Sequence, residues 1–463
     1  MGDEARKMRD RLNAVSCSFC LAKWYQVTIH LQNGHTHSCH HPRTHKVPLE
    51  EIAANPSALH NTNFKKQRRK EMLEGVRPAE CDYCWNVEDA PGDNLSDRAL
   101  KSAEWWEADK FDAARTMPWD ADVNPTYVEV SFGNVCNFKC SYCVPQISSK
   151  WMEEVKRFGP YPISRQHDSL EHVERRGLMP IPEREENPYV DAFWRWWPEL
   201  YRTLRVFRIT GGEPLLNKNT FSVLEHILAE PNPELHLSVN SNLGIPDDLY
   251  ARFLDLVRTI VERKAIASFH LYSSVDAHGR RAEYIRHGLD YEKWIANARR
   301  YFETVPESQL TIMSTFNALS VTSFVPMARD IMALRKQYRT RKDRTRIVLD
   351  LPYLREPRHQ SVMVLGADFA AAKDAMLAFA NNEPGVLDWE RNKVARIHAM
   401  LGKPWPEERL VPARADFYRF FSEHDRRRGT DFLGAFPEME EFWNLCRRLA
   451  EANPLTTIQA PYY

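Results

Sequence analysis

The stretch TYVEVSFGNVCNFKCSYC (126–143) decides how this chain is read. Its first seven residues are strand-like and run straight into three cysteines, Cys136, Cys140 and Cys143. A loop that follows a strand directly lies at the strand's C-terminal end, where active sites of parallel α/β folds collect. Three thiolates at the spacing C-x3-C-x2-C can hold three irons of a 4Fe–4S cluster and leave the fourth iron without a protein ligand. Two plainer readings stay open at this point: a zinc site, or three buried thiols. Structural zinc sites close with four ligands, and this group supplies three.

Working outward, RVFRIT (205–210), LHLSVNS (235–241), IASFHLYSSV (266–275), LTIMSTF (310–316) and RIVLDLPY (346–353) are further β-type runs. Helical stretches separate them, among them TFSVLEHILAE, DDLYARFLDLVRTIVERK, YEKWIANARRYFETV and SFVPMARDIMALRKQY. Strands alternating with helices mean βα units and a parallel sheet. The expected class is therefore α/β, with a partial (β/α)6 barrel over 126–355. A small cysteine-rich α+β domain (1–90) and a linker (91–125) precede it, and a helical C-terminal extension (356–463) follows. An insertion at 145–200 carries Trp194, Trp196 and Trp197, read as core or interface aromatics. SSKW (148–151), just after the cysteine loop, is a candidate to face a substrate.

Composition narrows the function. Of 463 residues, 43% are hydrophobic and 27% charged, which supplies a core and excludes general disorder. Lys+Arg and Asp+Glu are both 63, so no whole-surface field favours nucleic acid or anionic membrane. No apolar run approaches a bilayer-spanning length. The opening MGDEARKMRDRLNAVSC lacks the apolar core of a signal peptide, so a cytoplasmic protein is expected. The nine cysteines are clustered rather than scattered, eight of them in the first third. That grouping argues for metal ligation over a disulfide framework.

In the N-terminal third, VTIHLQNGHTHSC (27–39) reads as a strand, a turn at Asn33-Gly34 and a second strand. NTNFKKQRRKEMLEG (61–75) reads as a helix capped by Asn63 and stopped by Gly75, with KKQRRK as its solvated face. A short helix is expected around SAEWWEADKF (102–111), a solvated helix end and loop at RKQYRTRKDRTR (335–346), and a core position for Cys446.

CNFKCSYC (136–143) and GGEP (211–214), each following a strand in the right order, resemble the radical S-adenosylmethionine (radical SAM) superfamily. The resemblance covers roughly 126–355. It implies that SAM binds the open iron, is reductively cleaved, and yields a 5′-deoxyadenosyl radical that takes a hydrogen atom from the substrate. It also implies SAM contacts from Tyr142, Gly211, Gly212, Glu213, Pro214, Asn240, Asn242, Ser274 and Asp276, with Arg286 a candidate partner of the SAM carboxylate. No catalytic side chain is assigned. Implied partners are a small-molecule or peptide substrate and an electron donor such as flavodoxin or ferredoxin.

FCLAKW (19–24), HSCHHP (37–42) and MLEGVRPAECDYCW (72–85) resemble the auxiliary-cluster modules called SPASM or twitch domains. That resemblance implies a second 4Fe–4S cluster on Cys20, Cys39, Cys81 and Cys84, with Cys17 a spare. Zinc suits the same thiolates. His37, His40, His41 and His45 are read as standing behind the ligands. The module normally follows the radical domain, and here it precedes it. Together these readings predict a radical SAM enzyme, with net oxidation of a peptide or small molecule as the expected reaction. A radical isomerase, epimerase or bond-forming maturase is the rival among enzymes. A non-catalytic iron–sulfur sensor is the rival outside them, and GGEP beside a complete cysteine triad argues against it.

Overall fold

The structure is a computed structural model that describes residues 2–340, 345–456 and 458–459. The described residues hold eleven strands: β1 (Gln26–His30), β2 (His35–His37), β3 (His45–Lys46), β4 (Tyr127–Ser131), β5 (Lys139–Cys140), β6 (Val206–Thr210), β7 (Asn232–Ser241), β8 (Ile266–Ser274), β9 (Arg286–His287), β10 (Gln309–Met313) and β11 (Ile347–Asp350). Contacts divide the chain into two units. The first comprises the N-terminal segment to Asn134, Gly177–Val239 and Arg263–Ser268. The second comprises Val135–Arg176, Asn240–Glu262 and the chain from Phe269 onward.

In the first unit the strand order is β7-β6-β4-β1-β2-β3. β1, β4, β6 and β7 pair in parallel, whereas β1–β2 and β2–β3 are antiparallel. Alternation explains the inner strands: Val128 and Val130 on β4, and Phe207 and Ile209 on β6, are fully buried. Each such side chain contributes about 1.5–3 kcal/mol by burial. Between them Glu129 faces Arg208 in register, at 3.7 Å. The cysteine-rich segment thus adds β1 to the same sheet as β4, in register from Gln26↔Tyr127 to His30↔Ser131.

The Asn33-Gly34 turn joins β1 to β2, and Gly34 has φ 65°. A Cβ there would sit 2.0 Å from the ring of Tyr189, so glycine is required on two counts. Tyr189 belongs to the helix Pro188–Tyr201, whose Asn187 cap accepts from the Tyr189 and Val190 amides. Phe193, Trp196, Trp197 and Leu200 form its buried stripe, and Trp197 lies 5.1 Å from the Phe207 ring. Trp194 keeps some surface and donates to Asn219 Oδ1 at 2.9 Å.

The second unit carries β8, β10 and β11 in parallel and the antiparallel ribbon β5–β9. Four longer helices, Ala370–Asn382, Asp388–Leu401, Glu407–Arg428 and Glu440–Ala452, make the C-terminal part helical. Cys446 is fully buried there. Among the described residues no helix is long and apolar enough to cross a membrane.

Four local expectations are corrected. The helix Asn63–Leu73 is capped by Thr62, whose hydroxyl accepts from the Lys65 amide, rather than by Asn63. Its basic run is not a solvated face, because Lys65 and Arg69 are buried. Lys65 Nζ donates to Gln26 O at 3.2 Å and to His60 Nδ1 at 2.7 Å. Arg69 donates to Lys23 O, Ala121 O and Asn61 Oδ1 at 3.0–3.2 Å. At SAEWWEADKF the helices Asp97–Ser102 and Phe111–Thr116 flank a turn. There Trp105 packs on His236 and Trp106 on Tyr127, contacts that override helix propensity. In the basic run 335–346, residues 341–344 lie outside the described residues. Arg335 and Arg346 are buried, the first paired with Glu390 and the second donating to Ser308 O and Val305 O.

Replacing Arg69 with Met removes donors from the buried Lys23 carbonyl and the half-buried Ala121 carbonyl and is expected to destabilise the fold by about 2–4 kcal/mol. The exposed neighbour change Gln67→Ala is expected to stay within about 0.5 kcal/mol. Urea unfolding of both variants checks the contrast, and equal effects would refute the buried assignment.

Candidate metal and cofactor site

The cysteine loop follows β4, and its sulfurs are set by contacts from distant parts of the second unit. Cys140 lies in β5 and pairs with Arg286 of β9, while the Ser141 amide donates to Ile285 O at 2.7 Å. The indole of Trp151 donates to Cys140 O at 2.7 Å. Ser149 Oγ accepts from the Cys136 amide at 3.1 Å, and the Phe138 amide lies 3.5 Å from Cys136 Sγ. Ser148 Oγ donates to Phe138 O at 3.1 Å and caps the helix Ser149–Phe158. SSKW therefore braces the loop with Ser148, Ser149 and Trp151. Gln360 holds Ser141 twice, accepting from its hydroxyl at 2.7 Å and donating to its carbonyl at 3.0 Å.

Charge is arranged around the same loop. Arg286 Nη1 approaches Cys140 Sγ at 3.6 Å. Arg428, from the C-terminal part, donates to Lys139 O at 2.6 Å and pairs with Glu154 at 3.0 Å. Glu154 also binds Lys139 Nζ at 2.8 Å and accepts from Tyr161 Oη at 2.7 Å. Although the three cysteines keep some surface, burial pushes the Cys140 and Cys143 thiols up, and Cys143 is raised further by Cys140 and Cys136. Bare thiols here resist ionisation, and a metal bound to them would have to displace their protons.

Of the residues linked to SAM by resemblance, Tyr142, Asp276 and Arg286 form one buried network. Asp276 has no exposure; it accepts from Tyr142 Oη at 2.7 Å, Arg286 Nη2 at 3.0 Å and the Thr315 amide at 2.8 Å. Asp276 thus holds Arg286, Tyr142 and the Thr315 backbone together. Asn242 is also internal: its Nδ2 donates to Asn137 Oδ1, and Asn137 donates to Gly244 O, both at 2.8 Å. Asn240 and Ser274 keep some surface at the ends of β7 and β8.

The GGEP turn lies in the first unit. Gly211 has φ 123°, and a Cβ there would meet Ser131 Oγ at 2.6 Å and Gly133 O at 2.9 Å. The turn therefore packs on the end of β4, and the Gly212 amide points at Gly133 O at 3.4 Å. Glu213 is buried and accepts from the Leu215 amide at 3.1 Å, which caps the turn that begins at Pro214.

Cys20, Cys39, Cys81 and Cys84 also converge, lining one small cavity of about 20 Å³ with Met72, Trp85, Lys23 and Arg98. Burial, then the neighbouring Cys39, pushes Cys20 up to about 12. Buried Lys23 pairs with Glu80 and buried Arg98 with Glu88, so cations stand beside the thiols. That donor set fits an anionic metal–thiolate centre. Cys17 is exposed and donates to Gly75 O at 3.2 Å. The four histidines have other partners: His37 bonds Cys39 O, His41 bonds Asp97 at 2.8 Å, His45 bonds Thr62 at 2.9 Å, and His40 faces the Tyr127 ring. Among the described residues no three Cys, His, Asp or Glu side chains are gathered tightly enough for a single metal ion.

Residues 130–318 match the family described as the Radical SAM superfamily. The chain is also 27% identical over 148 residues to a GTP 3′,8-cyclase of Psychromonas ingrahamii, an alignment covering 31% of this chain. It spans 35% of the length of that relative, about a third.

Burial pushes the Glu154 carboxyl up, but Arg428, Lys139 and Tyr161 overcome this and hold it down at about 2, against 4.5 ordinarily. A depressed carboxylate stabilises fully above its unfolded value and loses that contribution as pH falls. Stability should therefore drop between pH 4.5 and about 2. Glu154→Gln should flatten that part of a urea-midpoint-against-pH curve, and an unchanged slope would contradict the network.

Proposed function

We propose that this chain, which carries a Radical SAM superfamily domain, reductively cleaves SAM and abstracts a hydrogen atom from a peptide or small molecule, with net oxidation of that substrate. The observation that carries the reading is the loop Cys136–Cys143, set after a parallel strand and braced by Trp151, Gln360 and Arg286. Bound there, a 4Fe–4S cluster with one iron free of protein ligand supplies the electron that cleaves SAM to the 5′-deoxyadenosyl radical. Cys136, Cys140 and Cys143 each hold one iron and cannot substitute for one another. Gly211 lets the backbone pass close to the end of β4, where a side chain would clash. In this reading β4, β6, β7, β8, β10 and β11 form the partial (β/α)6 barrel.

The reading extends to a twitch- or SPASM-type second cluster on Cys20, Cys39, Cys81 and Cys84. Iron–sulfur is preferred to zinc there on the resemblance of the segment to those modules, since thiolates suit both metals. Its proposed role is to accept an electron from the substrate radical. The reaction then needs a low-potential donor such as flavodoxin or ferredoxin and a reducing compartment, the cytoplasm. A bond-forming outcome is the second reading, favoured by the similarity to the GTP 3′,8-cyclase.

Anaerobic reconstitution followed by reductant and SAM should release 5′-deoxyadenosine, and any single Ala at Cys136, Cys140 or Cys143 should abolish it. Full release by Cys140→Ala would refute the reading. Wild type should hold about eight irons per chain, and the triple Ala variant about four. Zinc with little iron in that variant would refute the second cluster.

A further inference from the structure

We propose that Arg286 is a positioning residue that raises the reduction potential of a cluster on Cys136, Cys140 and Cys143 by presenting a fixed N–H and positive charge to the Cys140 sulfur. This rests on the functional reading of those three cysteines. Hydrogen bonds to cluster sulfurs and nearby charge are levers on such potentials, because both favour the more negative, reduced state.

The geometry is overdetermined. Arg286 sits opposite Cys140 in the β5–β9 ribbon, so the backbone already holds the two residues side by side. Arg286 is 6% exposed, and Nη1 lies 3.6 Å from Cys140 Sγ. Asp276 orients the other edge: Nη2 donates to Oδ1 at 3.0 Å, and Nε stands 2.8 Å from Oδ2 as an ion pair without hydrogen-bond alignment. Asp276 is in turn held by Tyr142 Oη and the Thr315 amide. The guanidinium also lies 5.6 Å from the Tyr142 ring. Arg286 therefore bridges two residues of the cysteine motif while a fully buried carboxylate keeps its orientation. The carboxylate engages Nη2 and Nε, which leaves Nη1 directed to the Cys140 sulfur.

The sign separates this role from mere support. Removing the guanidinium deletes the N–H donor and leaves Asp276 as a buried negative charge, so the potential should fall. Neutralising Asp276 removes the opposing charge and should raise it. A defect that only loosened the loop would not shift the two variants in opposite directions.

The test is an EPR-monitored redox titration of the full chain, following the signal that changes when SAM is added. Arg286→Gln should lower the ratio of reduced to oxidised cluster at a fixed potential about tenfold, equivalent to about 59 mV for one electron. Asp276→Asn should move the midpoint the other way. Iron content on each variant verifies loading, and where Arg286→Gln fails to load, Asp276→Asn carries the test alone. Loaded variants with unchanged midpoints, or midpoints shifted in the same direction, would overturn the inference while leaving the functional reading intact. A wild-type chain with no SAM-sensitive signal would overturn both.

Discussion

Three thiols within eight residues repel one another once ionised, and a short loop has little of its own to hold them in place. The second unit meets that constraint with contacts of very different sequence separation. Trp151 lies just beyond the loop, Arg286 is 146 residues from Cys140, and Gln360 is 219 residues from Ser141. Arg428, reaching Lys139 O, comes from 289 residues away. The C-terminal helices are therefore part of how the loop is shaped.

The cysteine-rich segment is tied to the sheet by the same logic. β1 lies in parallel register with β4, the strand that leads into the cysteine loop. Its hairpin is sealed where Gly34 admits the Tyr189 ring. The four N-terminal thiols then sit beside Lys23 and Arg98, two buried cations that suit an anionic centre. The segment and the GGEP turn belong to one compact unit.

The strands were legible because burial follows alternation directly, as Val128, Val130, Phe207 and Ile209 illustrate. The two cysteine groups stood out by clustering and spacing, while the set of four in the N-terminal group came from resemblance. What escaped was side-chain direction over long range. Lys65 and Arg69 read as solvent-facing because they are cationic, yet with Met72 they keep helical spacing and share a buried face. Gln360 and Arg428 carry no local signal, since their partners are set only by the folded chain. Asp276 and Arg286 were found by resemblance, but their partners could not be read from it. The turn at Trp105 and Trp106 escaped because the indoles pack on His236 and Tyr127, contacts that local propensity does not carry.

The central claim is that this loop presents a cluster with one iron open to SAM. Mössbauer spectroscopy of the iron-57-reconstituted chain, with and without SAM, tests it most directly. The account predicts that one iron subsite of the loop cluster changes its isomer shift when SAM is added while the other subsites stay as they were. A spectrum unchanged by SAM, with the loop cysteines fully loaded with iron, would contradict it.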